Sequence, residues 1–114
     1  MTTQEVANRL IQLCRDGEFV KAEQELYGSN IVHVEANGEE FKGFEVVLLK
    51  EKQFLEKLEK KPVAKVSEPL VANDFFTIAM HMEFIHKELG SKIIDEIIVY
   101  KVNDGKIVYL KCYL

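Results

Sequence analysis

The sequence has no apolar run long enough to cross a membrane, no excess of basic residues and only two cysteines. The first absence excludes a helical membrane span. The second, with a net charge of −4, argues against a nucleic-acid partner, and no basic stripe interleaved with aromatic residues appears. The lysines between Lys57 and Lys61 are interrupted by Glu59 and preceded by Glu56, the pattern of a solvated helix face. Cys14 and Cys112 lie far apart within apolar patterns and read as reduced core thiols rather than a disulfide framework. The opening Met1-Thr2-Thr3-Gln4-Glu5 lacks the basic and apolar regions of a signal peptide. A cytoplasmic protein with no membrane partner is the expectation.

Several chemistries are missing as well. Ser29, Ser67 and Ser91 read as turn or strand polar groups, so no serine–histidine–aspartate triad is expected. No glycine-rich loop follows a strand to cradle a phosphate. His81 and His86 are five apart on a predicted strand and point to opposite faces. With no cysteine cluster and no His-x-x-x-His, neither a metal nor a cofactor is expected.

What remains is an ordinary globular balance, 47% hydrophobic and 30% charged. A length of 114 residues suits one domain, residues 1–114, with a core that needs no staples. The first half has helical period. Thr2-x-x-Glu5 reads as a capping box, Val6, Leu10, Leu13 and Cys14 share a face, and Gly17 supplies a left-handed stop. A short second helix places Phe19, Ala22 and Leu26 inward and is expected to end at Gly28. A strand over Ile31 to Glu35 and a turn at Ala36-Asn37-Gly38 follow. The third helix starts near Phe44, with Val47, Leu48, Leu55 and Leu58 at helical spacing, and Pro62 is expected to stop it.

Beyond Pro62 the period becomes two. Strands are predicted at about Val63–Val71, Phe75–Lys87, Ser91–Val102 and Lys106–Leu114, separated by Asn73-Asp74, Leu89-Gly90-Ser91 and Asn103-Asp104-Gly105. Helices first and long hairpins afterwards predict an α+β fold, with N-terminal helices packed in the concave face of a strongly curved antiparallel sheet. Ile78, Met80, Met82 and Phe84 are assigned inward, as are Ile94, Glu96, Ile98 and Tyr100, then Val108, Leu110, Cys112 and Leu114. The opposite face carries Ile97, Val99, Tyr109 and Tyr113, more apolar surface than a monomer shows to water. A homodimer through that face is the expectation.

The run Leu26-Tyr27-Gly28-Ser29-Asn30-Ile31-Val32-His33-Val34-Glu35, then Phe41-Lys42-Gly43-Phe44, then the close from Asp95 to Val108 occur in a telling order. In that order they resemble the nuclear transport factor 2-like superfamily, in particular its SnoaL-like and ketosteroid isomerase-like branch. The resemblance implies a cone-shaped, cystatin-like roll in which the sheet wraps the third helix and leaves a pocket, with dimerisation through the convex sheet. It implies a carboxylate base at Glu35. The positions of the isomerases' oxyanion donors fall on Leu10 and Ile98, so steroid isomerisation itself is not expected.

His33 and Glu35, two apart on a strand, point the same way. A carboxylate beside an imidazole suits general-base work, or Glu35 alone acts with a raised pKa. Glu96 and Tyr100 add polar groups to a wall of Met80, Met82, Phe84, Leu110 and Cys112, the make-up of a small-molecule site. Two function classes follow. One is a cofactor-free isomerase, cyclase or lyase acting on a small apolar carbonyl compound, with Glu35 or His33 as catalytic base. The other is a non-catalytic dimeric module that binds a ligand or a protein, where His33 and Glu35 merely bond each other.

Overall fold

The computed structural model describes residues 1–114. Three helices, α1 (Thr3–Arg15), α2 (Phe19–Leu26) and α3 (Phe44–Glu56), are interleaved with and followed by seven strands. These are β1 (Tyr27–Val34), β2 (Glu40–Lys42), β3 (Val63–Val66), β4 (Leu70–Ala72), β5 (Phe75–His86), β6 (Gly90–Asn103) and β7 (Lys106–Tyr113). α1 begins as its sequence dictates. The Thr2 hydroxyl accepts from the Glu5 amide at 3.1 Å, and the Glu5 carboxylate accepts from the Thr2 amide at 2.9 Å. The helix buries Val6, Leu10, Leu13 and Cys14 together with Ala7 and Ile11, and stops at Gly17, whose φ of +73° favours glycine.

The strands form one curled sheet in the order β2-β1-β7-β6-β5-β3, with β4 also on β5. Neighbours are antiparallel except β1 and β7, which run parallel, so the sheet is mixed. α1 packs on the β3–β4–β5 end and α3 on the β1–β2 end. The helices thus bridge the two ends of the curl, and the middle of the inner face, over β6 and β7, is left to line a cavity. One core cluster spans all three helices and the sheet. At its centre Phe76, 1% exposed, stacks on Tyr100 with centroids 4.6 Å apart. Burying the Phe76 ring stabilises the fold by about 2–3 kcal/mol.

Local expectations fail where tertiary pairing competes with local preference. α2 ends at Leu26 and β1 begins at Tyr27, so Gly28 lies inside a strand rather than ending a helix. A Cβ on Gly28 would lie 3.5 Å from the Ile107 carbonyl, which shows how closely β7 passes. α3 ends at Glu56, well before Pro62. Its expected last turn is drawn onto the β5–β6 hairpin: Glu59 N–H donates to the Ile85 carbonyl, Lys87 N–H to the Lys57 carbonyl, and Leu58 bridges His86. The short β2 is an addition to the expected elements; it pairs with β1 across the turn.

The strand expected from Val63 to Val71 divides at Ser67-Glu68-Pro69. Pro69 has no N–H, and the Ser67 hydroxyl takes the place of a ladder carbonyl by accepting from the Ala79 amide at 2.8 Å. In β7 the parity reverses near the start. Lys101 faces Tyr109 but Val102 faces Ile107, so β7 carries an extra residue at a bulge. Ile107 is therefore fully buried, while Val108, expected inside, is half-buried and Leu114 is exposed.

Candidate functional site

α2 carries Phe19, Ala22, Glu23 and Leu26 on one buried face, a spacing of three and four that puts a glutamate on an apolar stripe. α3 repeats the pattern, since Glu51 lies one turn after Val47 and one before Leu55. On β6, Glu96 takes the inward place between Ile94 and Ile98. These three carboxyls line one small cavity of about 100 Å³. His33, Tyr27, Tyr100 and Cys112 also line it, and most of the remaining wall is apolar, from Leu10 and Phe19 to Met80, Met82, Ile98 and Leu110.

Most of the expected lining residues therefore surround one cavity: Leu10, Met80, Met82, Glu96, Ile98, Tyr100, Leu110 and Cys112, with His33. Phe84 does not; its ring packs edge-on against Phe54 at 5.2 Å, beyond the cavity. Glu35 sits outside the cavity wall, next to His33. Glu23, Glu51 and Tyr27 join the site without having been expected there. For the two glutamates a signal exists in the sequence, because each interrupts an apolar helical stripe at an inward position.

The environment sorts these groups by charge. Burial raises Glu23 to about 9, with the charge of Glu51 adding to the effect and Lys50 opposing it. Burial likewise raises Glu51 and Glu96. Buried Tyr27 and Tyr100 are pushed well above the ordinary phenol range. Each of these groups is neutral or biased toward its neutral form at pH 7. Glu23 is 7% exposed, and its Oε1 has no hydrogen-bond partner in the protein.

His33 is shifted the other way. Desolvation lowers its pKa, Glu35 opposes that, and Lys50 adds to it. A neutral imidazole therefore stands at the cavity. The expected histidine–carboxylate pair is altered accordingly: His33 Nε2 and Glu35 Oε1 are 3.7 Å apart, too long for a hydrogen bond, and Glu35 is paired with Lys50. Lys50 also lies over the Phe41 ring, 5.0 Å from its centroid. Cys112 connects the two sides, with its sulfur 3.7 Å from His33 Nε2 and its thiol moderating the rise in the Glu96 pKa.

His33, Glu35 and Cys112 place one donor atom each within 4.8 Å of one another, a set that suits a borderline divalent metal such as zinc. Two features oppose occupancy. Lys50 already neutralises Glu35, and burial with the charges of Glu96 and Glu35 pushes the Cys112 thiol up to about 12. His81 and His86 do not converge. His81 bonds Asp95 at 2.6 Å, while His86 Nδ1 accepts from the amides of Glu88 and Leu89.

The residues of the expected outer interface are in place. Ile97 is 46% and Tyr113 47% exposed, whereas Val99 and Tyr109 are half-buried. Exposed Ile93 and Leu114 extend the patch. A cleft of about 600 Å³ runs beside it, lined by Ala79, His81, Asp95, Ile97 and Tyr113 among others.

Comparison with known proteins agrees with this architecture. A SnoaL-like domain model matches residues 1–114. The chain is similar to the structure of a candidate SnoaL-like polyketide cyclase from Mesorhizobium loti, at 24% identity over 100% of both chains with a TM-score of 0.90. A candidate polyketide cyclase from Pseudomonas putida shares 14% identity over 100% of this chain and 92% of its own, with a TM-score of 0.76. A protein of ketosteroid isomerase-like fold from Catenulispora acidiphila, solved with trimethylamine, shares 12% identity over 96% of this chain and 85% of its own, with a TM-score of 0.74. Among curated proteins none matches. At these identities the likeness carries the fold and not the reaction.

Proposed function

Because the chain belongs to the SnoaL-like domain family, we propose that its cavity binds a small carbonyl compound and moves a proton on it without a cofactor, as an isomerase, cyclase or lyase. One observation carries the reading: a single small cavity joins a neutral imidazole to carboxyl groups held toward their protonated forms. His33 takes a proton from the carbon next to the carbonyl. The oxygen that gains charge is met by a hydrogen bond from Glu23 in its acid form, in a mostly apolar site where few waters screen the interaction. Return of the proton to the same or another carbon completes exchange or isomerisation. Glu35 and Lys50 act beside His33, where their opposite effects set its basicity.

A volume of about 100 Å³ admits roughly four or five non-hydrogen atoms, about three waters' worth. A fused-ring substrate does not fit, which agrees with the loss of the isomerase donors at Leu10 and Ile98. The second reading, a binding module without catalysis, is favoured by the relative from Catenulispora acidiphila, whose trimethylamine is a ligand of this size. In either reading the protein works as a homodimer joined through Ile97, Val99, Tyr109 and Tyr113, and its free buried thiols suit a reducing cytoplasm.

Deuterium exchange into acetone, followed by proton NMR, separates the two. Catalysis by the wild type, reduced about 100-fold or more in His33→Ala and several-fold in Glu35→Gln at unchanged melting temperature, supports proton transfer. Acetone binding without exchange would leave only the binding module.

A further inference from the structure

The cavity carries more acid than its surroundings balance. Glu23 from α2, Glu51 from α3 and Glu96 from β6 all line it, and the cation beside them, Lys50, is already paired with Glu35. Glu23 Oε1 is buried without a hydrogen-bond partner in the protein, an arrangement that costs free energy unless something supplies a donor. A neutral carbonyl compound can accept one hydrogen bond from Glu23 in its acid form, but it brings no donor for the second oxygen of that carboxyl or for Glu51. A bare metal ion fares no better there, because 11 of the 15 lining residues are hydrophobic, so the carboxyls meet it on only part of the oxygen shell that a hard ion requires. The group that fits carries both a positive charge with N–H donors and a carbon surface.

We propose, resting on the reading that this cavity is the ligand site, that it recognises a small organic ammonium group. Its N–H donors meet the Glu23 carboxyl, which releases its proton to solvent as the ion binds, with Glu51 and Glu96 as further acceptors, while Phe19, Tyr27 and Tyr100 surround its carbon substituents. Stacking on Phe76 holds the Tyr100 ring in place, as a cation–aromatic contact requires. The substrate class narrows accordingly, from small apolar carbonyl compounds to small amines or amino-carbonyl compounds.

The test compares two probes of the same shape, tert-butylammonium and tert-butanol, by calorimetric titration of the full chain at pH 9, where Glu23 begins to ionise. The ammonium ion is expected to bind at least about ten-fold more tightly, the size of a charge-assisted hydrogen bond. Glu23→Gln is expected to bring the two probes within about two-fold of each other. Glu51→Gln, on a different helix, is expected to narrow the gap about three-fold and decides the matter if Glu23→Gln folds poorly. Equal affinities in the wild type, or a preference that survives both substitutions, overturn the ammonium site. Exchange of acetone protons by His33, measured alongside, then still upholds the carbonyl reading. Failure of all three probes to bind overturns both.

Discussion

On the inner face of β5, β6 and β7, Glu96 is held among Met80, Ile98 and Leu110, and the helices add Glu23 and Glu51 to the same enclosure. On the outer face of the same strands, Ile93, Ile97 and Tyr113 are left toward solvent. Polarity is thus inverted relative to what folding alone favours, which would place the carboxyls outside and the isoleucines inside. Each inversion costs stability in the isolated chain. In the proposed readings, a ligand that supplies donors answers the inner one, and a second copy that supplies apolar surface answers the outer one.

The largest expected effect tests the inner face. Folded Glu23 holds its proton to about pH 9, whereas the unfolded chain loses it near 4.5. The folded state binds more protons in that interval, so the fold loses stability as pH rises through it. Glu23→Gln removes this loss and is expected to stabilise the empty protein by about 5 kcal/mol at pH 8, with little difference near pH 4.5. Urea unfolding at the two pH values measures it, and equal stability of the two proteins at pH 8 would mean that Glu23 is not strained by burial. The lowered pKa of His33 acts in the opposite direction, because the unfolded chain takes up its proton first as pH falls below 6.5, and it weakens the fold on the acid side.

Next in size is the outer face. Ile97→Lys is expected to weaken the dimer at least about ten-fold while leaving the cavity's ligand affinity unchanged. Light scattering coupled to size-exclusion chromatography reads the first and calorimetry the second. A wild type that is monomeric at micromolar concentration would remove the dimer and leave the outer patch unexplained. The smallest effect belongs to neither face. Thr2→Ala removes the α1 cap and is expected to cost about 1 kcal/mol, with no change in ligand binding or assembly.

Much of this contrast is legible in the amino-acid sequence. Alternation along β5 and β6 places Met80, Ile98 and Tyr100 inside and Ile97 and Val99 outside, because successive strand residues must face opposite ways. The capping box and the Gly17 stop are equally local and equally readable. Less legible are the features that depend on a distant partner. The bulge that turns Ile107 inward, the loss of the last expected turn of α3 to the β5–β6 hairpin, and the short β2 all arise from pairing between segments far apart or across a turn. Local preference is worth tenths of a kcal/mol per residue, and satisfied backbone pairs outweigh it.

The sequence by itself determined which way the groups on the regular helices and on β5 and β6 face. Period 3.6 put Glu23 and Glu51 on inward stripes, period 2 did the same for Glu96, and both rules are consequences of backbone geometry alone. The tertiary structure decided that these three carboxyls line one cavity, that His33 stands beside them as a neutral imidazole, and that Lys50 takes Glu35 for itself. Those outcomes follow from the curl of the sheet, which brings β1, β6 and two helices around one small space where desolvation overrides ordinary acidity.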